Sequence, residues 1–342
     1  MKKNFVSEKY ISNRAMPLNL DPDHDALFRN EYQKNIEKSY YFNLNNILIS
    51  NNHLFKSRFF SLEPQYFKMD TENWNSTLIS IKQIRDTFLM GNKPESIEKG
   101  SWVIDDKSFN FFHFMTDVLS RISMIENELE EYPILLPNSF KIKNYVLEIL
   151  NLLQIPTVFY DENKKYYIKE LLITSHAAPA GNYNKYFINR VKDQLINDQI
   201  LDHKKSYPKK IWLSRKNQLR RQLINEEEIL EILKKYDYET IYPEELSIKS
   251  QINMFHNART VVGPHGAAFT NIMFMKPKSN IIEIRNQSDT VRNAFYSLSS
   301  EFNLNYYYLL ADAPSPNLVS DLKMDGKSFE TLIQKLESTT LR

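Results

Sequence analysis

His113 and Asp117 stand four residues apart in Phe111-Phe112-His113-Phe114-Met115-Thr116-Asp117. On a helix, residues at that spacing share one face. A histidine beside a carboxylate can act as a general base, held and made more basic by its neighbour. Arg121 falls at the next i+4 step on the same face. A hydrogen-bonded polar seam uses the same spacing, so the pair alone leaves both readings open.

A second group of residues suits anions. The run from 204 to 221 holds eight Lys or Arg and no acid. Guanidinium forks fit phosphate oxygens, although most long cations simply face water. Within the run, Arg215 directly follows the apolar stretch Ile211-Trp212-Leu213, with Arg220 and Arg221 close behind. Further on comes Gly263-Pro264-His265-Gly266-Ala267, two of only six glycines in the chain. Small residues between a strand and a helix let an anion approach backbone N–H groups. The turn lacks the GxGxxG and GK[ST] patterns, and an ordinary connection would look similar. Glu283 then lies near the end of another apolar stretch, before Arg285.

Other chemistries find less support. The absence of Cys excludes thiol nucleophiles, disulfides and thiolate metal sites. His176, His203 and His256 are scattered. Asp21-Pro22-Asp23-His24-Asp25 has the D-x-D spacing of metal-dependent sugar transferases but lacks the Gly and closing Glu of a calcium loop, and reads as a turn. No metal residue is assigned. The 44 basic and 42 acidic residues give a net charge of +2, against a general nucleic-acid binder. No apolar run reaches the roughly 20 residues of a membrane span, and the mixed, polar start reads without a secretory signal.

These groups need elements to position them. At 342 residues, 42% apolar and 13% aromatic, the chain predicts two globular domains. Strands are expected at Ile47–Ile49 and Leu54–Phe60, and a helix over Ser76–Leu89. From residue 100 a strand–helix alternation begins: strand Trp102–Ile104, helix Phe111–Glu128, strand Pro133–Leu136, helix Tyr145–Leu153, strands Thr157–Tyr160 and Leu171–Thr174, helix Phe187–Ile200. A second series has strands at Lys210–Leu213, Glu239–Tyr242, Thr260–Val262, Asn280–Ile284 and Tyr306–Leu310. Its helices fall at Glu226–Lys235, Ile248–Asn257, Ala267–Phe274 and Thr290–Phe302. Asn225 and Glu228 have the spacing of a capping box. Such alternation implies parallel sheets covered by helices, an α/β fold of two Rossmann-like halves. Ligands then bind beyond the carboxyl ends of strands, where Arg215, the 263–267 turn and Glu283 all fall.

Four blocks in order resemble family 61 glycosyltransferases, often of the bacterial capsular polysaccharide type. They are Asn110-Phe111-Phe112-His113-Phe114-Met115-Thr116-Asp117-Val118-Leu119-Ser120-Arg121; Ile211-Trp212-Leu213-Ser214-Arg215 with Arg220-Arg221 and Asn225-Glu226; Glu245-Leu246-Ser247 with Gln251; and Val262-Gly263-Pro264-His265-Gly266-Ala267-Ala268-Phe269-Thr270-Asn271-Ile272-Met273-Phe274, followed by Ile282-Glu283-Ile284. Phe114 stands where the family often has Trp, Pro264 precedes the histidine, and Ala268-Phe269 replaces Gly/Ala-Leu. The first hundred residues match nothing in the pattern.

The resemblance implies a GT-B architecture, two Rossmann-like domains facing a central cleft. The domains expected are 1–204 on the acceptor side and 205–316 for the nucleotide sugar. A helix in 317–342, with Phe329, Leu332, Ile333 and Leu336 apolar, would cross back to the first. It implies inverting transfer from a nucleotide sugar, UDP-linked, to a hydroxyl of a glycan or lipid-linked oligosaccharide, with no obligatory cofactor or metal. Asp117 or His113 is then the base. Arg215 with Arg220 or Arg221 holds the diphosphate, helped by Gly263, Gly266 and Ala267. His265 and Asn271 meet phosphate or sugar, and Glu283 the ribose. A bacterial cytoplasm is expected, and the basic surface permits peripheral membrane contact. Two alternatives stand beside this: another nucleotide-sugar enzyme, an epimerase or a metal-dependent transferase using Asp21 and Asp23; or a non-catalytic binder of anionic polymer or membrane lipid through the 204–221 run.

Overall fold

The computed structural model describes residues 2–57, 60–62, 76–78, 93–179, 181–315 and 317–340. The chain divides into two compact units, Met1–Ile11 with Asn35–Leu195, and Ser12–Lys34 with Ile196–Arg342.

Strands in the first part of the chain are β1 (Asn4–Ser7), β2 (Tyr10–Asn13), β3 (Gln33–Ile36), β4 (Ser39–Ser50), β5 (His53–Ser57), β6 (Phe60–Leu62), β7 (Ser76–Leu78), β8 (Glu95–Trp102), β9 (Ile134–Pro137), β10 (Thr157–Tyr160) and β11 (Lys165–Thr174). β2 and β3 pair with each other. The rest form one sheet in the order β10-β9-β8-β11-β4-β5-β6-β7, with β1 also on β4. β10, β9, β8 and β11 run parallel, while β11–β4, β4–β5, β5–β6 and β6–β7 are antiparallel. The sheet is therefore mixed, where strand–helix alternation alone predicts a parallel one. The cause is local. β4 and β5 are joined by Asn51-Asn52, both at positive φ (47° and 61°), the backbone of a two-residue hairpin turn. The helix expected from Ser76 begins instead as β7, and its remainder, 79–89, lies outside the described residues. The strand expected at Trp102–Ile104 ends at Trp102.

The long helix expected from Phe111 is α1 (Phe111–His113), a π-helical turn over Phe114–Val118, and α2 (Leu119–Met124). Helices α3 (Asn144–Leu152) and α4 (Lys185–Leu195) follow. Asn110 starts the series by accepting from the Phe112 N–H at 2.9 Å, a conventional cap. α2 packs against α4, and both helices carry buried side chains, among them Ile122 and Ile188.

The second unit holds β12 (Lys210–Leu213), β13 (Glu239–Ile241), β14 (Thr260–Pro264), β15 (Asn280–Asn286) and β16 (Asn305–Ala311). They form an all-parallel sheet in the order β13-β12-β14-β15-β16. Counted along the chain this is 2-1-3-4-5, a doubly wound order. Helices α5 (Glu226–Lys234), α6 (Ile248–Asn257), α7 (Ala294–Glu301) and α8 (Gly326–Thr340) belong to it. Ile211, Trp212, Val261, Val262, Ile281, Ile282 and Ile284 are fully buried, as strands covered on both faces require.

Local expectations meet their outcome here. Asn225 makes no capping bond to α5. Its amide donates to Glu228 Oε2 (2.8 Å) and Met324 O (2.7 Å), and its carbonyl accepts from Met324 N. Tertiary partners outcompete the local cap. The apolar face of α8 packs within the second unit: Phe329, Leu332, Ile333 and Leu336 join Trp212, Ile229 and Leu233 in one core. The turn at Asp21 is confirmed as local structure, with Asp21 accepting from the Asp23 N–H at the start of a 3₁₀ turn.

Residues 12–34 explain how the open edge at β16 is closed. Leu18 N donates to Tyr306 O, and the Asn19 amide exchanges two bonds with the Tyr308 backbone. Phe28, fully buried, sits against Tyr296, Tyr306 and Tyr308, with the Arg285 guanidinium 5.1 Å from its ring centre. A covered edge no longer invites pairing with another chain.

Candidate active site

In the second unit the strand order reverses between β12 and β14, the kind of switch point at which doubly wound sheets bind their ligands. Arg215 follows β12 and His265 follows β14, so both stand at this switch point. Gly263 is required by the close approach of the two strands. A side chain there would lie 2.8 Å from the Leu213 carbonyl oxygen and Cβ. Gly266 is required for another reason. Its place for a Cβ is filled by Nη1 of Arg215. The Arg215 fork is anchored by Nε and Nη2 donating to the Arg220 carbonyl, at 3.3 and 3.0 Å.

The basic run thus sorts itself. Lys210 is spent on Glu337 (2.6 Å) and Tyr236 O (2.9 Å). The Arg220 side chain faces solvent. Arg215 and Arg221 turn inward. Arg221 adopts a left-handed backbone, φ 56°, a conformation that costs a non-glycine residue energy and recurs at functional sites. Its Nε is buried without a hydrogen-bond partner. Burial first, then the nearby Arg215 and Arg292, pull its pKa down to about 10. Burial also lowers that of Arg215. Cations that crowd one another while partly desolvated favour a bound anion.

Glu283 is wholly buried and both its oxygens are taken. Oε1 meets His265 Nδ1, and Oε2 accepts from the Tyr306 hydroxyl at 2.6 Å. Burial pushes this carboxyl up, but His265, Arg285 and Tyr306 together hold it below its ordinary range. Both oxygens already have partners, where the resemblance implies a contact with ribose. Asn271 is likewise turned inward. It is buried, and its amide donates to Gln251 Oε1 (2.8 Å) and Ala268 O (3.1 Å), joining the 3₁₀ helix Ala267–Phe274 to α6. His265 keeps a partly exposed edge, 13%, against Phe295. Ala267 opens that 3₁₀ helix.

Two participants escaped the sequence reading. Tyr306 lies on β16, where alternation with the polar 305 end gave no hint of a buried acid partner. Arg292 sits on the loop after β15. Asp289 shapes that loop by accepting from the N–H groups of Val291 and Arg292, and Arg285 ties it down through Asn293 and the Asp289 carbonyl.

In the first unit, His113 Nδ1 and Asp117 Oδ2 lie 2.8 Å apart, with side chains 16% and 15% exposed. Thr116 donates to Phe112 O (2.8 Å) and approaches Asp117 Oδ1 (3.2 Å). Burial raises the Asp117 pKa, against the lowering effect of His113. The π-helical turn contains Asp117, and such turns are frequent at functional sites. Arg121, at the next i+4 step, lies near enough to Asp117 to feel its charge. It is fully buried, donating to Thr174 Oγ1 at 2.8 Å, with Asp105 Oδ2 3.7 Å from Nη1. His176 Nε2 lies 3.9 Å from the same oxygen. Burial, then Arg121, lowers the His176 pKa to about 4.

Among the described residues no helix is long and apolar enough to cross a membrane. No curated protein matches the chain. The family described as Glycosyltransferase 61 matches residues 111–282, half of the sequence. That span begins on the helix bearing His113 and Asp117 and ends on the strand bearing Glu283. On that match the chain belongs to the glycosyltransferase 61 family.

Proposed function

We propose that this glycosyltransferase moves a sugar, with inversion, from a UDP-linked donor to a hydroxyl of a glycan or lipid-linked oligosaccharide, in the synthesis of capsule or another bacterial surface polysaccharide. The observation that carries the donor half is the seating of Arg215 against Gly266, beside His265 and Arg221 at the switch point of the parallel sheet. In an in-line displacement the departing diphosphate gains charge, and preorganised cations stabilise it. Arg215 and Arg221 take that role, with His265 as a further donor. The acceptor hydroxyl must lose a proton, and the paired His113 and Asp117 supply the base.

This reading includes a GT-B arrangement, with the base on one lobe and the diphosphate site on the other. It also includes transfer without a bound metal and action at the cytoplasmic face of the membrane. A panel of nucleotide sugars screened by thermal shift tests the donor, since a ligand of the folded state raises its stability. UDP-sugars should stabilise the wild type and fail to stabilise Arg215→Ala. Loss of transfer in EDTA would count against metal independence. A protein indifferent to every nucleotide sugar would overturn the proposal.

A further inference from the structure

His265 has two ring nitrogens, and the structure commits one of them. Nδ1 faces Oε1 of Glu283, a carboxylate without solvent exposure whose other oxygen accepts from Tyr306. An ionised carboxylate only accepts hydrogen bonds. It therefore requires a proton on Nδ1. In water a neutral imidazole prefers to carry its proton on Nε2, so the buried acid reverses the ordinary choice. The side chain keeps 13% exposure, and Nε2 is the nitrogen left over.

The surroundings support this as a built device. Phe295 lies against the imidazole with ring centres 5.0 Å apart. The backbone N–H of His265 is pinned to Ile284 O at 2.9 Å. The groups facing the pair come from three elements: Glu283 and Arg285 on β15, Tyr306 on β16, and Arg215 from the loop after β12, beside Gly266. Phe28 in turn contacts both Tyr306 and Arg285.

We propose that Glu283 and Tyr306 are positioning residues that lock the His265 proton on Nδ1 and so present Nε2 to the ligand of the Arg215–Arg221 site. The inference rests on the donor-site reading only for what Nε2 meets, a diphosphate group. With a proton taken from solvent, Nε2–H donates to a phosphate oxygen. Without it, Nε2 accepts from a hydroxyl.

The test is nitrogen-15 NMR of the full chain labelled at histidine, with His265 assigned through its loss in His265→Gln. In free wild type at pH 8 the expected pattern is a protonated Nδ1 and a bare Nε2. Glu283→Gln and the milder Tyr306→Phe should both shift the ring toward Nε2–H, Tyr306→Phe less. Pyrophosphate and UDP should move the Nε2 signal of wild type. Their affinities should fall about tenfold in Glu283→Gln, the size of one charge-assisted hydrogen bond. A wild-type ring already protonated on Nε2 would overturn the proposal. So would a ring unchanged in Tyr306→Phe, the variant that decides the matter if Glu283→Gln does not fold. A ring locked on Nδ1 that ignores both UDP and pyrophosphate would overturn the donor-site reading and leave the anchoring in place.

Discussion

The Arg215 guanidinium occupies the space where any side chain on Gly266 would begin. The glycine does not serve an unusual backbone here, since its φ of −177° is extended and open to every residue. It serves a cation. Gly266→Ala should displace the flexible end of Arg215 while the fold survives. The expected result is a loss of UDP affinity of about tenfold or more, with little change in Tm, read by calorimetry and thermal melting. Gly263→Ala offers the contrast. Its new methyl would meet the Leu213 backbone, which cannot move aside cheaply. Its cost should appear as lost stability, roughly 1–3 kcal/mol.

The paired His113 and Asp117 make a kinetic prediction. Asp117→Asn should lower kcat by about 10²–10⁴-fold, the usual worth of a general base, while UDP binding stays near wild type. Full activity in both Asp117→Asn and His113→Ala would remove the pair from the mechanism.

The pH profile separates the two partners. Burial raises the Asp117 pKa and His113 lowers it. The acid limb of kcat/KM should therefore lie above the ordinary aspartate value of about 3.9. Removing His113 takes away the main lowering influence, so His113→Ala should move that limb to still higher pH. A limb moving the other way would show that the histidine, not the carboxylate, carries the titration.

His176 ties stability to pH. Its folded pKa of about 4 lies below the unfolded value, so the unfolded chain binds the extra proton first. Above about pH 6.5 both states are neutral and the group has no effect. As pH falls from there toward 4, stability should decline, by an amount on the order of 3 kcal/mol. In His176→Gln that part of the decline should vanish, as urea titrations at several pH values would measure.

Phe28 holds residues 12–34 to the second unit through three tyrosine rings. Phe28→Ala should cost about 3–5 kcal/mol. Because the same ring flanks Arg285 and Tyr306, UDP binding should weaken along with Tm. A large loss of stability with unchanged affinity would separate this strap from the site.

Much of the second unit was legible in the residues alone. Its strands are short apolar runs, buried on both faces, and Lys210–Leu213 and Ile248–Asn257 form the elements their patterns predict. The 204–221 run is visible as charge, and the 263–267 turn as paired glycines. The first unit was harder to read. Asn51-Asn52 turns the chain back into a hairpin, and one antiparallel connection is enough to make a parallel sheet mixed. The sequence contained that signal, but a strand–helix alternation beginning at residue 100 carries no information about strands before it.

Sequence alone determined residue type and local spacing: that His113 and Asp117 can touch, that cations follow β12, that small residues follow β14. These depend on neighbours a few positions away, whose geometry is set by backbone sterics. Only the tertiary structure decided which polar groups remain open to a ligand. Glu283 and Asn271 read as ligand contacts, yet both are buried, and the Glu283 carboxylate and the Asn271 amide N–H already meet partners 18 to 23 residues away. A buried carboxylate must find such partners or lose its charge. Where those partners lie is a property of packed strands and helices, which no single stretch of sequence encodes.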